Sequence, residues 1–187
     1  MGLKVLNPKD APNTDGIDVD SCRFVTIKDC LVDVGDDGIA LKSGSGPDGV
    51  ATNAPTTDIL IEDCTVKSAH GGAVIGSETA AGIRDVRVRN CLFDGTDRGI
   101  RIKTRRGRGG VISNLHFDSV RMRNNLCPLT LNMYYRCGSL DREDFSLEKR
   151  EITSTTPSIE RIVIENCTSE DSTSSAAFIV GLPESPI

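Results

Sequence analysis

Asp15, Asp36, Asp37, His70, Arg101 and Lys103 are residue types able to do acid–base work on an anionic substrate. Cleavage of a glycosidic bond needs two carboxyls: one gives a proton to the leaving oxygen, the other activates a water or attacks carbon. Asp36 and Asp37 are adjacent and would repel as anions, which favours a proton on one of them. Arg101 offers a fork and Lys103 a point charge for a substrate carboxylate, and His70 is placed either to tune the acid or to bind substrate. From Arg98 to Arg108 there are six cations and no acid, in a protein of formal net charge -5. Each piece also has a plain reading. Asp-Asp-Gly and Asn13-Thr14-Asp15-Gly16 are common turn sequences, and a histidine beside two glycines is a common turn residue. Arg105, Arg106 and Arg108 fit a solvated charge run or a polyanion patch equally well.

Whether these residues meet depends on the elements that carry them, and those repeat. Phe24–Cys30, Asp58–Cys64, Asp85–Cys91, Asn114–Val120 and Arg161–Cys167 share one pattern, their last residues 27 to 47 positions apart. Each alternates apolar and polar with the period of a half-buried strand. Val25/Ile27, Ile59/Ile61, Val86/Val88, Leu115/Phe117 and Ile162/Ile164 should face inward. A second strand follows in Gly38–Lys42, Gly72–Gly76 and Gly99–Lys103, with Ile39, Ala73 and Ile100 in one inward column and Leu41, Ile75 and Ile102 in the next. Gly16–Asp20 is the same strand of an earlier coil. Short strands without helical periodicity, each unable to bury its apolar face alone, predict a parallel β-solenoid. Cys30, Cys64, Cys91, Val120 and Cys167 then form one inward ladder of small hydrophobes.

The register turns scattered motifs into columns. Asp36, His70 and Asp97 share one outward column; Asp15, Asp37, Gly71 and Arg98 share the next. Ala40, Val74 and Arg101 form a third, and Lys42, Gly76 and Lys103 a fourth. Coils stack about 4.7–4.9 Å apart, so the six reactive residues fall on one face.

Bulk properties agree with one such domain over 1–187, the chain being long enough for a sizeable core. Seven cysteines cannot all pair within the chain, and none is spaced as a CxxC, which argues against a zinc site. Two stretches leave the coil: 44–57, rich in Gly, Pro, Ser and Asn, and the polar 136–158. No apolar run is long enough to cross a bilayer and no leader peptide is visible.

Asn13-Thr14-Asp15, Gly35-Asp36-Asp37, Ala69-His70-Gly71-Gly72 and Arg101-Ile102-Lys103 resemble, in order and spacing, the four signature motifs of the polygalacturonases, glycoside hydrolase family 28. The resemblance implies an all-β, right-handed parallel β-helix of about five coils, with N- and C-terminal coils of the family missing here. It implies hydrolysis of α-1,4-linked galacturonic acid with inversion and no cofactor. Asp36 matches the general acid, Asp15 and Asp37 the pair that activates water. His70, Arg101 and Lys103 match groups that hold the substrate and its carboxylate. Tyr135 matches a subsite tyrosine, although strict alternation beyond Leu131 would turn Tyr134 outward instead. Gly38 stands where the family has cysteine, and Ala69 where it has glycine, so the turn before His70 loses a glycine's freedom.

The implied partner is an acidic polysaccharide such as pectin or an oligogalacturonate, with no nucleic acid or membrane. A secreted or periplasmic setting follows from the family. Two other readings remain: a β-helix module that binds acidic polysaccharide without cleaving it, and a nucleic-acid-binding solenoid using the arginines. Uncapped solenoid ends predict end-to-end pairing of chains.

Overall fold

The computed structural model describes residues 2–139 and 141–187. The chain winds as a right-handed parallel β-helix, the hand that a parallel crossover between twisted strands takes. Every coil contributes to three sheets, not to the two that alternation reveals. The repeat strands Arg23–Lys28, Thr56–Glu62, Ile83–Arg89, Val111–Asp118 and Ser158–Glu165 form the first. Three-residue strands, Lys4–Leu6, Leu31–Asp33, Thr65–Lys67, Leu92–Asp94, Arg121–Arg123 and Thr168–Glu170, form the second. Ile17–Asp20, Asp37–Lys42, Gly71–Ile75, Ile100–Lys103, Leu129–Asn132 and Ala177–Val180 form the third, which carries the reactive residues.

The inward columns are as the periodicity predicts. Ile39 pairs with Ala73 and Ala73 with Ile100, while Leu41 pairs with Ile75 and Ile75 with Ile102. All six are buried. In the repeat strands the expected inward pairs are buried from Ile59/Ile61 to Leu115/Phe117, but Val25 and Ile162 are half-buried and Ile164 is exposed. Among the described residues the cysteines are all free thiols. Cys30, Cys64 and Cys91 are buried and Cys167 half-buried, each donating to the carbonyl two residues earlier at 3.2–3.3 Å.

The residue before each ladder position makes the corner. Asp29, Asp63, Asn90, Ser119 and Asn166 all have φ between 51° and 57°, the left-handed region that short polar side chains tolerate best. A second corner needs space instead of rotation. Gly16, Gly38, Gly72 and Gly99 stack at the start of the third sheet, and a Cβ at each would lie 2.3–2.4 Å from Val32, Val66, Phe93 or Met122 respectively. Those four side chains belong to the short second sheet. The glycine column is thus the slot into which that sheet packs.

The first excursion is not wholly irregular, because Gly46–Thr52 forms a short α-helix that ends at Asn53 in the left-handed region. The second contains one 3-10 turn among its described residues, Glu143–Phe145. Among the described residues no helix is long and apolar enough to cross a membrane.

Candidate active site

Asp37 begins its strand, and its side chain points off the coil rather than into the core because Gly38 and Ile39 take the inward turn. The register places Arg101 three coils along from Asp18, in the column Asp18–Ala40–Val74–Arg101. Ala40 and Gly71 keep that face low, a Cβ at Gly71 falling 3.1 Å from Arg101 Cδ, so the long side chains of Arg101 and Lys103 reach back along it. Arg101 Nη1 donates to Asp37 Oδ1 at 2.8 Å, and Lys103 Nζ donates to Asp37 Oδ2 at 2.5 Å. The Asp37 side chain is 2% exposed. A carboxylate buried to that extent needs such partners.

Asp36 is treated differently. Its side chain is 27% exposed, and Oδ1 accepts the Asp37 backbone N–H at 2.9 Å. His70 Nδ1 lies 3.2 Å from the same oxygen, and the other ring nitrogen faces Asp97 at 4.0 Å. The His70 backbone N–H, donating to the Asp36 carbonyl at 2.8 Å, fixes the two coils in register. The turn before His70 is taken at Ser68, with φ 60°, so Ala69 does not need the freedom that a glycine there would give.

Asp15 stands one coil before Asp37. It accepts from Lys42 Nζ at 3.0 Å, and Lys42 also holds Asp18 at 2.7 Å. Burial pulls the Lys42 ammonium down, but the hydrogen bonds to Asp18 and Asp15 outweigh it and carry the group above the ordinary lysine range. Burial pushes the Asp18 carboxyl up, its hydrogen bond to Lys42 opposes this, and the nearby Asp15 adds to the rise. Lys42 and Asp18 were missed among the reactive residues. The signal was present, since Lys42 shares the Lys103 column.

Tyr135 completes the group. Arg101 lies 5.4 Å and Lys103 4.9 Å from its ring centroid, close enough for cation–π attraction. Burial raises its phenol above the usual range, with Arg101 opposing. Tyr134, which alternation would turn outward, packs against the core instead. The strand has ended at Asn132, whose Oδ1 accepts the Tyr134 N–H at 2.8 Å in a side-chain turn that breaks the alternation.

The arginines past the strand form neither a solvated run nor a polyanion patch. Arg105, Arg106 and Arg108 are buried. Arg105 binds Asp144 at 2.9 Å and the Gly138 carbonyl at 3.2 Å, anchoring the second excursion. Arg106 grips both oxygens of Glu184, at 2.5 and 2.9 Å, and the carbonyls of Ser146 and Glu148. Arg108 ties Glu78 at 2.9 Å to Ser45, at the foot of the first excursion. They are struts under the walls of the face.

The same face therefore gathers Asp15, Asp36, Asp37, His70, Arg101 and Lys103, the six that share it by register, and Tyr135 joins them against Arg101 and Lys103. A hollow of about 370 Å³ opens beside them, lined by Arg98, Arg101, Lys103, Thr130, Tyr135 and Phe178 among others.

Comparison with known proteins points the same way. The family described as glycosyl hydrolases family 28 matches residues 1–181. A probable polygalacturonase of Vitis vinifera is 39% identical over 124 residues, covering 66% of this chain and 25% of that protein. Among solved structures, a Yersinia enterocolitica family 28 exopolygalacturonase superposes with TM-score 0.72 at 25% identity, over 88% of this chain and 27% of that one. A hyperthermoactive exopolygalacturonase from Thermotoga maritima gives 0.71 at 32% identity, over 84% and 33%. The chain spans about a quarter of the length of the curated relatives it matches.

Proposed function

The chain belongs to the glycosyl hydrolases of family 28, and we propose that its acidic face hydrolyses α-1,4 bonds between galacturonic acid residues of pectin or polygalacturonate, with inversion. The observation that carries this reading is the unequal treatment of two adjacent carboxyls. Asp37 is buried and accepts from two cations, whereas Asp36 is partly open with only His70 and a backbone N–H beside it. Setting a pair of titratable groups in contrasting environments is how an acid and a base are assigned separate tasks.

In this mechanism Asp36, protonated, delivers its proton to the glycosidic oxygen as the C1–O bond breaks. Water held between Asp15 and Asp37 attacks C1 from the opposite side and gives a proton to one of those carboxylates. His70 positions the acid. Arg101 spends one of its five N–H donors on Asp37 and Lys103 one of three, so both keep donors for a uronate carboxylate. Tyr135 keeps their side chains against its ring. A substrate of this kind lies outside cells, which accords with a secreted or periplasmic setting.

The test is hydrolysis of polygalacturonate and digalacturonate, products resolved by size, with Asp36→Asn alongside. New reducing ends that vanish in Asp36→Asn are expected. Uronate binding by the unaltered protein without turnover would replace this reading with a binding module.

A further inference from the structure

Of the two carboxyls that share the attacking water in the proposed mechanism, Asp37 has both oxygens engaged, Oδ1 by Arg101 and Oδ2 by Lys103. Asp15 sits on the neighbouring coil, tied to it where the Gly16 N–H donates to the Asp37 carbonyl at 2.8 Å. One of its oxygens, Oδ2, accepts from Lys42 Nζ at 3.0 Å, while Oδ1 takes no hydrogen bond among the described residues. Lys42 is itself fixed from the other side, donating to Asp18 at 2.7 Å. Its direct neighbour across the sheet is Asp20, yet Asp20 Oδ1 is occupied by the Ser21 hydroxyl and the Gly44 N–H. The lysine therefore reaches past its register partner to Asp15 and Asp18. Its side chain is 20% exposed, so little water competes for these bonds.

We propose that Lys42 is a positioning residue for the hydrolysis, holding Asp15 by one oxygen so that the other is presented to the attacking water, with Asp18 as its anchor. This role rests on the reading of the face as a galacturonate hydrolase site. A free aspartate samples several rotamers, and a lysine carries its charge on a flexible stem. The chain of contacts Asp18–Lys42–Asp15 removes both freedoms, which is the support a reacting group needs to stay within its productive geometry. The same outward column does the same work further along the face, where Lys103 reaches back to Asp37 as Lys42 reaches back to Asp15. With Lys42 removed, Asp15 and Asp18 repel whenever both are ionised. The swing that relieves this repulsion takes Asp15 off the water.

Steady-state kinetics on polygalacturonate compare the unaltered protein with Lys42→Met, with Lys42→Arg, and with Asp15→Asn carrying or lacking Lys42→Met. Lys42→Met should lower kcat roughly ten- to hundred-fold, the cost of moving a reacting group by about 1 Å. KM should stay nearly unchanged, because the lost interaction acts in the transition state and not in binding. Lys42→Arg, which still offers a charged donor, should recover part of kcat. In Asp15→Asn, adding Lys42→Met should lower kcat no further, since Lys42 acts through Asp15. An undiminished kcat in Lys42→Met, a loss carried by KM alone, no recovery in Lys42→Arg, or a further fall on adding Lys42→Met to Asp15→Asn would overturn the role while the hydrolase reading stands. No cleavage by the unaltered protein would remove that reading and this role together.

Discussion

Replacing Asp37 by Asn should cost far more stability than the same change one residue earlier. Asp37 is 2% exposed and shared between Arg101 and Lys103, whose side chains are 17% and 9% exposed. Removing the anion strands two like charges beside each other with little water to screen them. Breaking a buried ion pair on one side costs about 3–5 kcal/mol, a fall in melting temperature of about 6–20 °C for a domain of this size. Asp36 is 27% exposed and has His70 as its one ionisable partner at hydrogen-bond distance, beside the Asp37 N–H that an amide oxygen also accepts, so Asp36→Asn should cost under about 1 kcal/mol. Lys103→Met removes one of the stranded charges in advance, so Asp37→Asn should cost about 1–2 kcal/mol less in that background, a coupling typical of contacting groups. Far-UV circular dichroism melts of the wild type, the three single variants and the double variant measure all of this. Equal costs at positions 36 and 37, or strict additivity of Asp37→Asn with Lys103→Met, would refute the buried clamp.

Lys42→Met removes the hydrogen bond that opposes the burial of the Asp18 carboxyl, so Asp18 should protonate at higher pH than in the unaltered protein, read by NMR titration of the side-chain carboxyl carbons. Hydrogen bonding by Arg106 depresses the Glu184 carboxyl to about 2, so its stabilising effect is complete above its unfolded value and fades as pH falls through about 2. Urea unfolding should accordingly show Glu184→Gln weaker by about 3 kcal/mol at pH 7, with the gap to wild type closing below pH 4. Gly72→Ala would drive a Cβ to 2.3 Å from the Phe93 ring, and a loss of about 1–3 kcal/mol in the same unfolding assay is expected.

The repeat was legible because its strands are long enough to alternate and because each ends on the same corner, Asp or Asn before Cys in four of five coils. Stacking then followed from counting, and with it the meeting of Asp15, Asp36, Asp37, His70, Arg101 and Lys103. The second sheet was hidden: strands of three residues hold a single inward side chain, Val32, Val66, Phe93 or Met122, and one residue has no period. Arg105 and Arg106 read as surface charge because their acids, Asp144 and Glu184, lie 39 and 78 positions away, in segments whose path no local pattern fixes. Tyr135 depended on where the strand stops, which a single hydrogen bond from Tyr134 to Asn132 decides. The engagement of Asp37 by both cations was likewise beyond reach, since register shows which residues share a face but not which of them touch.

Proton NMR of the first product released from an α-1,4-linked galacturonate oligomer tests the central claim most directly, because it reads the geometry of the water attack itself. If Asp36 protonates the leaving oxygen while Asp15 and Asp37 direct water to the opposite face, the new reducing end appears first as the β-anomer and no product forms with Asp36→Asn. An α-anomer appearing first, or product formation undiminished in Asp36→Asn, would contradict the account.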